Sequence, residues 1–190
     1  MSMTAPFAPL HDPDPAIARQ AAAAIRTTAK AGSKRVIAVS ACLLGEPVRY
    51  DGGHKHAPEA LAPLLHDPAI ILMPICPEVL AGMGCPRPTV QFAAGDGTTL
   101  AHGQGGTIVD ANGEDRTAQM VHGAMLAEEL CREAGVSAAL LKERSPSCGL
   151  EQIHGPQGLQ AGSGTFAARL VQLGLPIDTE IQPLPRTGCS

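Results

Sequence analysis

The chain has 190 residues, a formal net charge of −4, 44% hydrophobic residues and only 2% aromatics, enough for one domain with a core of Ala, Val, Leu and Ile. It has no apolar run near the roughly 20 residues of a membrane span, no basic stretch leading into an apolar one that would read as a secretory signal, and no Lys/Arg block to neutralise nucleic-acid phosphates. Six cysteines in such a chain suggest a reducing cytoplasm, where cysteines serve as ligands or catalytic groups more often than as disulfides.

In chain order, residues 1–13 carry Pro6, Pro9 and Pro13 with little periodicity and read as a loose tail. The Ala-rich stretch 15–30 predicts a helix with Pro15 in its first turn and Gly32 as its stop. Residues 1–33 thus form an N-terminal extension, accessory to a single domain over 34–190. The first core strand, Arg35–Ser40, runs into Cys42. A loop with Arg49, Tyr50 (the only tyrosine) and Asp51 follows, then a helix over 57–66 closed by Asp67-Pro68. The second strand, Ile70–Ile75, runs into Cys76. Pro86 and Pro88 flank Arg87 and hold the chain extended there.

The Gly-rich stretch 95–106 reads as a hairpin or a mobile loop. A short strand at Thr107–Asp110 and an Asn112-Gly113 turn come next. Residues 114–134 predict a helix with Glu114 and Asp115 at its N-terminal end, Gly135 as its stop, and Met120, Val121, Ala124 and Cys131 on one stripe. The third strand, 138–141, stops at charged residues and an S-P-S-C-G turn that holds Cys148. A Gly-rich loop over 155–164 opens a helix over 165–173, and 175–181 adds a last strand. The recurrence of strand, crossover helix and strand places the chain in the α/β class, with a mostly parallel sheet and flanking helices.

Three strand-like runs therefore each deliver one cysteine just past their C-terminal ends. Parallel neighbours would bring Cys42, Cys76 and Cys148 to one rim, where open α/β sheets bind ligands. Three thiolates suit zinc with water in the fourth position, or three irons of a [4Fe-4S] cluster. The spacing does not choose between them. Cys131 reads as a buried hydrophobe, Cys189 as irrelevant, and Cys85 as either a fourth ligand or a pocket-wall thiol. Glu78, two residues after Cys76, suits a proton relay or the first turn of a helix. Ser145 suits a substrate hydrogen bond or a turn cap. Arg49 and Arg87 suit an anionic group or surface ion pairs. Gly162-Ser163-Gly164-Thr165 either offers free N–H groups to phosphate or simply starts a helix.

The motifs V-S-A-C-L-L-G…R-Y-D-G, P-I-C-P-E-V-L-A-G…P-R-P and L-L-K-E-R-S-P-S-C-G, in this order, resemble the thiouracil desulfidase family over about residues 35–180. The resemblance implies a Rossmann-like α/β domain with a [4Fe-4S] cluster held by Cys42, Cys76 and Cys148, and a fourth iron open to substrate sulfur. It implies non-redox desulfuration of a thiolated pyrimidine, with release of sulfide and with Glu78 and Ser145 as the acid/base pair. Arg49, Tyr50, Asp51, Arg87, Ser147, Ser163 and Thr165 are the candidates for the substrate side. Gly84-Cys85 and Gln91 stand where the family has a Pro-Thr pair and a Glu, departures that bear on substrate preference. The expected partner is a small thiolated base, nucleoside or nucleotide, with no stable nucleic-acid partner and no membrane. The alternatives are a zinc-thiolate hydrolase, a structural metal-binding domain, or a non-enzymatic sulfur carrier. A tRNA sulfur-inserting enzyme would need an S-G-G-x-D-S loop, which the sequence lacks.

Overall fold

A computed structural model describes residues 14–181; the predicted tail at 1–13 and Cys189 lie outside the described residues. Four parallel strands, β1 (Arg35–Ser40), β2 (Ile70–Ile75), β5 (Val136–Leu141) and β8 (Ile177–Thr179), form the central sheet in the order β2-β1-β5-β8. Winding reverses between β1 and β5. In doubly wound folds that reversal opens a crevice at the C-terminal strand ends. β1 is buried on both faces, which its unbroken run of small and β-branched residues permits. Pro74 lies within β2, and β2 tolerates it as an edge strand paired only with β1.

The alternation of side chains along β1 divides the core. Val36 and Ala38 face a cluster shared with α1 (Pro15–Ala31), α5 (Thr117–Ala134) and α6 (Thr165–Gln172). Ile37 and Val39 face the other side, covered by α2 (Pro58–Leu65) through Leu61 and by Leu43 and Val48. The expected accessory role of the first helix does not hold. Ala18, Ala21, Ala22, Ile25 and Ala29 form a small-residue face buried in the main core, and the helix packs on α5. Asp14 caps its start by accepting the Ala16 N–H.

The remaining elements form a cap of two hairpins. β3 (Val90–Ala94) pairs antiparallel with β4 (Thr107–Asp110), and β6 (Gln152–Gly155) with β7 (Gly158–Ala161). Phe92, Ile108, Met120 and Ile153 make a small core of their own beneath them. The stretch 95–106, expected as a hairpin or mobile loop, carries the short helix α4 (Gly97–Ala101), whose Asp96 and Thr99 cap each other reciprocally. α5 starts three residues later than predicted. Asp110 accepts the N–H groups of Asn112 and Glu114 and pairs with Arg116, and Arg116 N–H returns to Ile108 O. Glu114 and Asp115 thus belong to the turn that finishes the β4 ladder. No helix among the described residues is long and apolar enough to cross a membrane.

Candidate functional site

Three adjacent strands end in thiols at one rim. Cys42 lies in a 3-10 turn (Ala41–Leu44) directly after β1. Cys76 follows β2 and caps the short helix α3 (Pro77–Leu80). Cys148 lies in the turn after β5. All three line one cavity of about 460 Å³, between the sheet rim and the β3 and β6 strands of the cap. Burial pushes the Cys42 thiol up to about 12; Cys76 nearby adds to the rise, while Lys142 and Arg49 oppose it. Burial likewise raises Cys76 to about 12, with Glu78 adding to it and Cys148 contributing. Cys148 also reaches about 12 by burial, opposed by a hydrogen bond with Ser40 and reinforced by Cys42. Each thiol thus feels the charge of another of the three. Soft donors this poorly solvated as thiolates suit cationic metal centres, which replace the solvation that burial removes. Among the described residues, no three His, Cys, Asp or Glu side chains group closely enough to share a single ion.

Beside the thiols runs a hydrogen-bonded array. Glu78, in the first turn of α3, accepts Nε and Nη2 of Arg87 on Oε2 at 2.9 and 2.6 Å. Its Oε1 accepts the Ser147 hydroxyl at 2.7 Å. Ser147 Oγ lies 3.1 Å from Ser145 Oγ, and Ser145 Oγ accepts the N–H groups of Ser147 and Cys148, each at 3.2 Å. Glu78 and Ser145 thus each shape a turn, as one of their two readings has it, and each also lines the cavity. The Arg87 side chain is 4% exposed. Burial works against its charge, but the Glu78 carboxylate, together with Cys76 and Cys85, outweighs this and holds its pKa above the ordinary value. Nη1 donates to Val48 O and Gly84 O. Of the two expectations for Arg87, an anionic ligand or a surface ion pair, the structure shows an ion pair, buried instead of at the surface, on the wall of the cavity. Ser147 similarly directs its hydroxyl at Glu78.

Arg49 and Tyr50 stand on the cavity wall, the guanidinium 5.1 Å from the ring centroid. Asp51 is off that wall; it accepts Gly53 N–H and pairs with Arg49. Ser163 and Thr165 are also off it, and of the two readings of Gly162-Ser163-Gly164-Thr165 the simple helix start fits, because its N–H groups are taken. Gly162, Gly164 and Thr165 donate to Glu151 O, Gly149 O and Pro146 O, and Ser163 N–H donates to Asp96. Cys85, weighed as a fourth ligand, also lies off the wall, its sulfur 3.0 Å from both Pro47 O and Arg49 O. Cys131 is buried in the main core, as expected.

The sequence reading missed four groups. Ser40 accepts the Lys142 N–H and ties the ends of β1 and β5. Lys142 reaches the cavity and pairs with Glu180. Glu143 is 3% exposed and accepts the N–H groups of Leu150, Glu151 and Gln152, closing the loop behind Cys148. His154 reaches the cavity from β6. Lys142 and Glu143 lie inside the third motif, which was the available signal. Nothing in the local sequence singles out His154.

The model of a family described as 2-thiouracil desulfurase matches residues 37–181, from β1 through the end of the sheet. The Bacillus subtilis (strain 168) protein YbbK, described as uncharacterized, is 36% identical over an alignment of 148 residues that covers 76% of this chain and 95% of that protein. Among solved structures, a [4Fe-4S]-dependent thiouracil desulfidase, TudS, is 38% identical with a TM-score of 0.65, the match covering 78% of this chain and 92% of TudS. The matched region contains all three rim cysteines and the whole Glu78 array, and the chain belongs to the 2-thiouracil desulfurase family.

Proposed function

We propose that the protein is an enzyme that replaces the sulfur of a thiolated pyrimidine by oxygen from water and releases sulfide, with no net redox change. The substrate class is 2- or 4-thiouracil or the corresponding thiouridine nucleoside or nucleotide. The observation that carries this reading is the convergence of three strand-end thiols and the Glu78 array on one cavity. Cys42, Cys76 and Cys148 would hold a [4Fe-4S] cluster, as the description of TudS suggests for a related fold. A cluster meets each thiolate at a different iron, so it does not require ligands grouped around one ion. When bound, it supplies an iron free of protein ligand, a Lewis acid for substrate sulfur.

The chain's own residues do the rest. Glu78 takes a proton from the attacking water and returns it to the departing group. Ser145, beside Cys148, hydrogen-bonds at the reacting centre. Arg49 and Tyr50 offer a cation and an aromatic face to a flat base and its anionic substituents. The sheet rim and the cap shield the reacting atoms from bulk water.

The test is iron and sulfide quantification on protein purified without oxygen, followed by sulfide release from 2-thiouracil, 4-thiouracil and 4-thiouridine monophosphate. About four irons per chain and turnover on at least one substrate are expected, and Cys148→Ala should lose both. One zinc with no iron, or full turnover by Cys148→Ala, would overturn the proposal.

A further inference from the structure

We infer that Ser147 is a third catalytic residue of this site, whose hydroxyl carries the proton between Ser145 and Glu78. The inference rests on the acid/base roles proposed above and adds the path between them.

One arrangement of donors and acceptors joins these groups into a path. A serine hydroxyl has one proton and two lone pairs. Both lone pairs of Ser145 Oγ face backbone N–H groups, those of Ser147 and Cys148, which leaves its proton to point at Ser147 or into the cavity it lines. Ser147 Oγ stands 3.1 Å from it. Ser147 directs its own proton to Glu78 Oε1 at 2.7 Å, as expected for an O–H facing a carboxylate, which leaves its lone pairs to Ser145. The other carboxylate oxygen, Oε2, is occupied by Arg87, so Oε1 is the oxygen that receives. Among the described residues no hydrogen bond joins Ser145 to Glu78 directly. In this arrangement Ser145 donates to Ser147, and Ser147 to Glu78.

The transfer balances. As water adds to the substrate carbon, its proton passes to Ser145 Oγ, the Ser145 proton to Ser147 Oγ, and the Ser147 proton to Glu78 Oε1. Three O–H bonds break and three form. Both serines end as they began, Glu78 carries one proton, and no electrons are exchanged with a partner. The two N–H groups on Ser145 Oγ stabilise the negative charge that builds there during the shift. The reverse shift delivers the proton to the departing sulfur.

The experiment compares Ser145→Ala, Ser147→Ala, the double variant and Ser147→Thr, each prepared without oxygen with its iron content and cluster absorbance measured. Ser147→Ala should keep wild-type iron and lose at least about 100-fold in kcat, with KM little changed. The double variant should fall no further than the worse single variant, because both remove the same path. Ser147→Thr, which keeps a hydroxyl, should recover most of the turnover. The solvent deuterium isotope effect on kcat should involve more than one proton in the wild type and shrink in Ser147→Ala.

Wild-type kcat in Ser147→Ala, or losses that add in the double variant, would overturn the inference. So would loss of iron in both Ser147 variants, which would give Ser147 the task of holding the turn. A wild-type protein that contains iron but releases no sulfide from any thiopyrimidine would defeat the proposed function itself, whereas an active wild type beside an unaffected Ser147→Ala defeats only the relay.

Discussion

Two turns of similar composition meet behind the cavity and do opposite work. Residues 145–149, S-P-S-C-G, and residues 162–165, G-S-G-T, both mix serine and glycine, and each precedes or follows a regular element. The first turns a thiol and two hydroxyls toward the cavity. The second turns nothing toward it. The N–H groups of Gly164 and Thr165, with those of Phe166 and Ala167 at the start of α6, bond Gly149 O, Pro146 O and Ser147 O, while those of Gly162 and Ser163 bond Glu151 O and Asp96. The helix start that would suit a phosphate instead binds the carbonyls of the neighbouring turn. A Gly/Ser helix start is a ligand site only where its N–H groups are unused, and here they fix the turn that carries Cys148.

The strongest way to break this comparison is to push the second turn away from the first. A Cβ on Gly164 would lie 2.4 Å from Ser147 C and 2.7 Å from Cys148 N, and both are backbone atoms that cannot swing aside. The Gly164 φ of −73° is ordinary for any residue, so the cost of Gly164→Ala is contact alone. We expect a loss of about 3 kcal/mol in denaturant unfolding and a large fall in iron bound per chain. Wild-type stability with full iron loading would mean the two turns do not support each other.

That contact was not legible in the sequence, and the reason is general. β1 and β2 fall where their apolar runs predict, and the delivery of each rim cysteine just past a strand follows from the same local pattern. Cys76 and Glu78 are local as well. The remainder of the site arises from long-range pairing: Ser147 with Glu78 across 69 positions, and the N–H groups of α6 with a turn nearly twenty residues earlier. Arg87 carries the same lesson. A guanidinium nine residues from a carboxylate reads equally as an anion binder or an ion-pair partner until its partners are seen. β6, β7 and α4 were obscured by glycine, which lowers local propensity where tertiary packing supplies the order instead.

A sharper test concerns the other end of the first turn. Glu143 Oε1 accepts Glu151 and Gln152 N–H, and Oε2 accepts Leu150 N–H. Glu143→Gln keeps the shape but replaces one oxygen with NH2, which sets a donor against a donor in a buried place. The expected cost is about 2 kcal/mol, read by denaturant unfolding, with less iron retained on gel filtration without oxygen. No change in either would show that the loop is held by α6 alone.

The smallest effect belongs to Ser163, and it separates the two readings of its turn. The Ser163 hydroxyl faces Thr98 Oγ1 at 2.9 Å, while its N–H is held by Asp96. Ser163→Ala therefore removes one hydroxyl pair and leaves every backbone donor of the turn engaged, which predicts a loss of no more than about 1 kcal/mol. Turnover should stay at the wild-type level, and KM for a thiolated nucleoside should change no differently from KM for its monophosphate. A phosphate cradle would behave otherwise. There the KM for the monophosphate would rise selectively, and inorganic phosphate would lose its ability to compete. Such a selective rise would mean the N–H groups exchange their carbonyl partners for a ligand in solution, and would make the second turn part of the site rather than its support.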